Sequence, residues 1–155
     1  MQALPDLKAT EALAQRLAAA ARAGDVIALS GPLGVGKTAF ARFFIQALAR
    51  LNGVPPPGEV PSPSFTLVQT YDLGRVAVWH VDLYRLERPG DADELGLDEA
   101  RGEGVSLIEW PERLEGRLPR DRLDVALSYA GKDKPGARMV ALTGHGAWRE
   151  RLRHV

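Results

Sequence analysis

The chain has 155 residues, enough for one domain with a proper core and too few for a nucleotide domain plus a separate substrate domain. Twenty acidic and twenty basic residues leave a formal net charge of +0, so no global field draws the protein toward nucleic acid or an anionic membrane. The absence of cysteine excludes a disulfide framework, a thiolate zinc site and a cysteine nucleophile, and without a leader-like start or about 18 consecutive apolar residues the expectation is a soluble, cytoplasmic protein.

Leu13, Leu17 and Ala20 or Ala21 recur at helical spacing, which predicts a first helix from about Ala9 to Ala23 with Gly24 as its stop. Asp25 to Ser30 then reads as a short buried strand, and Ala39 to Leu48 as a helix with Phe40, Phe44, Ala47 and Leu48 on one face. Between them stands Gly31-Pro32-Leu33-Gly34-Val35-Gly36-Lys37-Thr38, a complete G-x-x-x-x-G-K-[ST] loop in the strand-to-helix setting such a loop requires. Its glycines let successive backbone N–H groups close on phosphate oxygens, Lys37 reaches the β and γ phosphates, and the Thr38 hydroxyl holds Mg²⁺. The positive end of the following helix adds to the same spot. The candidate cradle for ATP is therefore Gly31, Leu33, Gly34, Val35, Gly36, Lys37, Thr38 and Ala39.

Five prolines between Val54 and Pro63 rule out a helix or an inner strand and predict a stiffened loop. Its tail crowds three hydroxyls, Ser62, Ser64 and Thr66, beside backbone that proline holds extended. Phe65 to Tyr71 and Val76 to Leu83 flank a turn at Gly74 and read as a β-hairpin. In its second strand Val76, Val78, His80 and Asp82 share one face, and Ala77, Trp79, Val81 and Leu83 the other. Glu87 to Gly104 is acidic and broken by Pro89 and three glycines, which predicts one or two short helices. Val105 to Trp110 is a compact apolar strand closed by Pro111, and Leu123 to Tyr129 pairs with Arg138 to Thr143 as an antiparallel edge. The expected fold is α/β: one P-loop domain over 1–155, its mixed sheet having a parallel core and flanking antiparallel strands.

A phosphate loop needs a carboxylate at the end of a neighbouring strand, because Mg²⁺ takes hard oxygen ligands, often through a bound water. Glu109 and Asp82 both end strands, where ligands of open α/β sheets collect. Spacing does not decide which ligates metal and which positions water. His80 reads as packed or hydrogen-bonded within the sheet, Trp110 as core, Arg85 as a surface residue that could reach a phosphate, and the run Asp91 to Glu99 as a solvated helical face.

The ordered elements GPLGVGKT, VPSPSFTLVQTY, HVDLYRL and LIEWPERL resemble the TsaE (YjeE) family of small bacterial P-loop ATPases, over Thr10 to about Tyr129. The resemblance implies a weak Mg²⁺-dependent ATPase that acts with TsaB and TsaD in forming threonylcarbamoyladenosine beside the anticodon of tRNA, touching tRNA through that complex and no membrane. It implies phosphate and metal roles for Gly34, Gly36, Lys37 and Thr38, a functional aspartate at Asp82, and a Walker-B-like pair at Glu109 and Trp110. Ser62, Ser64 and Thr66 fall in a nucleotide-responsive switch loop, and Thr10 at a helix position near the nucleotide. Ser64 departs from the usual threonine and Pro32 from a polar residue. Two other readings compete with ATP hydrolysis: a small-molecule kinase, which needs an acceptor site and an arginine-bearing lid, and a nucleotide-gated binding module.

Overall fold

The computed structural model describes residues 1–98 and 102–155 throughout, and of 99–101 only that they fall within a helix. Seven strands form one sheet: β1 (Gln2–Leu4), β2 (Val26–Ser30), β3 (Val68–Asp72), β4 (Ala77–Asp82), β5 (Gly104–Glu109), β6 (Arg122–Tyr129) and β7 (Arg138–His145). Their spatial order is β1-β7-β6-β2-β5-β4-β3. β2 pairs in parallel with both β5 and β6, and β4 pairs in parallel with β5, whereas β3, β7 and β1 join antiparallel. A parallel core with antiparallel flanks is the expected architecture. Among the described residues there are also four α-helices, α1 (Leu7–Ala20), α2 (Lys37–Leu51), α3 (Leu97–Glu103) and α4 (Ala147–Leu152), and two 3₁₀ helices, Pro89–Leu95 and Pro111–Leu114.

Burial on both sheet faces explains why β2 and β5 read as continuous apolar runs. On one face Ile27, Leu29, Val78, Val105, Leu107, Leu123 and Val125 meet α1 and α2, and on the other Val26, Val81, Leu83 and Ile108 meet Leu86, Ala92, Leu114 and Leu118. The alternation expected for β4 is the one observed, with Val78 on the helical side and Val81 and Leu83 on the other. α2 is wedged between the sheet and α1, so it buries Ala41, Phe43 and Ile45 as well as the expected Phe40, Phe44, Ala47 and Leu48. Removing one such fully buried phenylalanine ring costs about 3–5 kcal/mol. At Gly104, where β5 starts, a Cβ would lie 2.1 Å from the Ala77 carbonyl oxygen; only glycine lets β4 and β5 pair this early.

Three expectations need correction. α1 ends at Ala20 because the next turn is claimed elsewhere: Arg22 N donates to Asp25 Oδ2 at 2.6 Å, and Gly24 N to the Gly104 carbonyl at 2.7 Å. Phe65 to Leu67 is a turn and not strand; Leu67 has φ 67° and its N–H returns to the Pro63 carbonyl at 2.7 Å. β6 and β7 pair antiparallel as expected but form no edge, since β6 lies against β2 and the three-residue β1 covers β7. α4 was not expected at all, and it carries the fully buried Trp148. In the acidic stretch, Asp91, Asp93 and Glu94 are exposed on a 3₁₀ helix, while the side chain of Glu99 lies outside the described residues.

Candidate active site

β2 lies between its two parallel neighbours β5 and β6, and the loop Gly31 to Thr38 leaves its carboxyl end directly into α2. Gly31 has φ 143° and a Cβ there would lie 2.5 Å from the Leu127 carbonyl oxygen; Gly36 has φ 119° as the residue before α2. Side chains rarely adopt such backbone angles, so both glycines shape the loop. Because α2 begins at Lys37, its unpaired N–H groups face the hollow of the loop. Lys37 is 5% exposed. Its Nζ donates to the carbonyls of Gly31 and, at 3.2 Å, Pro32, and stands 3.6 Å above the centre of the Trp110 ring. Burial pushes its ammonium below the ordinary lysine pKa, against the pull of Glu109, Glu112 and Asp82.

Strand register sets the two acids side by side. Leu29 is the Cα partner of Glu109, and Glu109 that of Asp82, so two carboxylates, 2% and 3% exposed, end adjacent parallel strands on the loop's side of the sheet. Such a pair repels unless each is hydrogen-bonded or faces a cation, and here the two are satisfied differently. The Thr38 hydroxyl lies 3.0 and 3.1 Å from the two oxygens of Glu109, whose Oε2 also meets His80 Nε2 at 2.6 Å. Asp82 accepts from Ser62 Oγ at 2.6 Å, from Ser64 Oγ at 3.4 Å and from the Tyr84 backbone N–H at 2.9 Å. Glu109 is thus joined to the phosphate loop, and Asp82 to the proline-rich loop.

One cleft of about 380 Å³ gathers Leu33, Gly34, Gly36, Lys37, Thr38, Ala39, Ser62, Ser64, Asp82, Tyr84, Glu109 and Trp110. A second, of about 240 Å³, opens beyond the loop between Asp6, Leu7, Thr10, Gly34, Val35, Gly36, Ala39, Leu127, Gly136 and Arg138. Most residues singled out in the sequence therefore converge on the two clefts. Gly31 contributes a carbonyl to Lys37, Val35 and Thr10 line only the second cleft, and Thr66 is exposed and lines neither. Arg85 stacks on the Phe65 ring, 4.3 Å from its centre, outside the cleft lining. Trp110 has φ 59° and packs against Tyr84 with ring centres 5.0 Å apart; it leans on the core cluster of the far sheet face, as expected, and also forms part of the cleft wall.

His80, expected to be packed or hydrogen-bonded within the sheet, is both buried and bonded to Glu109 of the neighbouring strand; only the identity of that partner, 29 positions on, has no local signal. Sequence reasoning missed two further participants. Tyr129 Oη donates to the Leu33 carbonyl at 3.0 Å, and Arg138 Nε to the Val35 carbonyl at 2.7 Å. Both brace the loop from β6 and β7, in a stretch whose turn-rich sequence hides the approach.

A loop of this form between the central parallel strand and a helix, faced by carboxylates from the next strands, defines a nucleotide-binding protein of the P-loop class. Residues 4–139 match the family model described as "Threonylcarbamoyl adenosine biosynthesis protein TsaE". The chain belongs to the TsaE family. It is similar to the Bacillus subtilis tRNA threonylcarbamoyladenosine biosynthesis protein TsaE, at 40% identity over 126 residues, 81% of this chain and 75% of that one. The protein of the same name from Rickettsia bellii is 38% identical over 125 residues, 81% and 83% of the two chains. Among solved structures, the crystal structure of Bacillus subtilis YdiB superposes with a TM-score of 0.72 at 34% identity, covering 98% of this chain and 93% of that one. No helix among the described residues is long and apolar enough to cross a membrane.

Proposed function

We propose that this protein binds ATP with Mg²⁺, hydrolyses it, and through that cycle supports threonylcarbamoyladenosine formation on tRNA in company with TsaB and TsaD. The observation that carries the reading is the contact of Thr38 Oγ1 with both oxygens of Glu109, 3.0 and 3.1 Å away, one residue beyond the phosphate-loop lysine. A hydroxyl and a carboxylate on rigid elements are two hard oxygen donors, and Mg²⁺ is bound in this sparse way when phosphate oxygens and waters complete its shell. Bound there, the ion would neutralise phosphate charge.

The chain's own groups have the following tasks. Loop N–H groups and the start of α2 take the phosphate oxygens. Lys37 exchanges the carbonyls of Gly31 and Pro32 for the β and γ phosphates, and the face of Trp110 keeps its ammonium within the cleft until then. Thr38 and Glu109 would hold the metal. Asp82, beside Glu109 but bonded to Ser62 and Ser64, would orient the attacking water once that loop responds to the γ-phosphate. The nucleoside end is assigned to the second cleft, against Thr10 and Arg138.

The kinase reading has little to build on: the described part of 87–104 packs through Ala92, Leu95 and Leu97 on the far sheet face, and none of it lines the triphosphate cleft. A nucleotide-gated binding module is favoured by one feature, the capture of Asp82 by the Ser62–Ser64 loop. Purified protein with Mg-ATP, alone and with TsaB and TsaD, decides among these. Expected are co-purification in ATP, phosphate release raised by the partners without any added acceptor, and loss of both with Lys37→Ala. If Glu109→Ala abolishes turnover yet spares partner capture and tRNA modification, hydrolysis is dispensable and the module reading replaces ours.

A further inference from the structure

We infer that His80 is the positioning residue of this site, a fixed Nε2–H donor that aims the Glu109 carboxylate at Thr38 and the metal; this rests on the hydrolytic reading above. The Thr38 hydroxyl has one proton to share between two carboxylate oxygens at nearly equal distance, so by itself it leaves the carboxylate free to swing about its terminal torsion. His80 breaks that symmetry by meeting Oε2 alone, at 2.6 Å. One oxygen is then engaged inward and the other remains for the cleft.

The imidazole is well suited to this. It is 0% exposed, on β4 two residues before Asp82, with its backbone held between Gln69 and Leu107. Its Nδ1 is buried and has no hydrogen-bond partner among the described residues. A proton on Nδ1 would thus be stranded, and the lone pair then left on Nε2 would point at a carboxylate oxygen at contact distance. The tautomer with Nε2–H is the one the surroundings accept. β4 accordingly delivers two parts of the site at once, Asp82 toward the proline-rich loop and His80 under Glu109. Carboxylates that bind metals are commonly oriented from behind in this way, and losing the orienting group costs roughly 10–100-fold in metal affinity or activity.

Two substitutions test this. Glutamine can place its Nε2 amide near the histidine Nε2, whereas leucine fills the space without a donor. His80→Leu is expected to lower kcat about 10–100-fold, to lose most of the affinity that Mg²⁺ adds to ATP binding in calorimetry, and to raise KM for Mg-ATP in step with that loss. His80→Gln should recover most of these losses, and thermal melts establish that each variant is folded. The tautomer is read directly, without nucleotide, from ¹⁵N imidazole spectra of a chain with three histidines; the buried ring should carry its proton on Nε2. A proton on Nδ1, wild-type kcat and Mg²⁺ dependence in His80→Leu, or a folded His80→Gln no better than leucine, each overturns the inference. If leucine does not fold, the tautomer and the glutamine variant decide. If the wild type releases no phosphate, the hydrolytic reading fails separately, and the tautomer with the Mg²⁺-dependent affinity still judges His80.

Discussion

Neither carboxylate at the head of the sheet is held in common with the other, and that division is the main result at the level of single residues. Glu109 is tied to rigid elements through Thr38 and His80, Asp82 to a loop through Ser62 and Ser64. Ser62→Ala should therefore loosen the proline-rich loop and leave the fold alone. Losing a hydrogen bond to a charged group costs about 1.5 kcal/mol, so the Leu67 and Asp82 amides, which lie in that turn and its bond to β4, should exchange roughly tenfold faster while distant core amides do not change. Uniform protection across the chain would count against the coupling. That both acids face one cleft was readable from their place at strand ends, but which partners each takes was not: Ser62 is 20 residues from Asp82 in sequence, and Thr38 is 71 from Glu109.

The sheet's regular elements were legible wherever period and punctuation were local, as in β2, α2, β4 and β5. Elements defined by tertiary pairing were not. β1 has only three residues and no alternation of its own; it exists because Gln2, Ala3 and Leu4 find Val140, Met139 and Arg138 across β7. α4 is six residues long, too short to show helical periodicity, and is held by Trp148 in the core and by Arg151. The guanidinium of Arg151 contacts both oxygens of Asp25 at 2.7 Å, pinning α4 to the start of β2, and this bond raises the arginine's pKa further. Arg151→Ala leaves Asp25 buried with little beyond the Arg22 N–H as partner and should cost about 3 kcal/mol in denaturant unfolding. Gly104→Ala, which drives a methyl into the Ala77 carbonyl, should cost about 1–3 kcal/mol through displaced β4–β5 pairing. Alanine tolerated at 104 without loss would mean that the two strands can separate more easily than their register implies.

At the scale of the whole molecule the parallel strands give the protein two unlike ends. The carboxyl end gathers the phosphate loop, both acids and the Ser62–Ser64 loop; the amino end is closed by the Asp25–Arg151 pair. Ligand at 100 times its Kd stabilises a folded chain by about 2.7 kcal/mol, so Mg-ATP should raise the melting temperature by roughly 5–10 °C, an effect that Lys37→Ala removes and Arg151→Ala retains from a lower baseline. A shift that survives Lys37→Ala would move the nucleotide away from the loop.

In a chain without cysteine, engineered thiols are the sole thiol handles for labelling. His154 lies beside Arg16 and Arg22 at the amino end, and Phe65 is 83% exposed on the loop that binds Asp82. The five residues of β2 alone separate the two ends by roughly 17 Å. Cysteines at 65 and 154 carrying a donor and an acceptor dye would span the molecule, so that energy transfer between them becomes a ruler for loop movement during each round of nucleotide exchange, with the anchor dye remote from the chemistry.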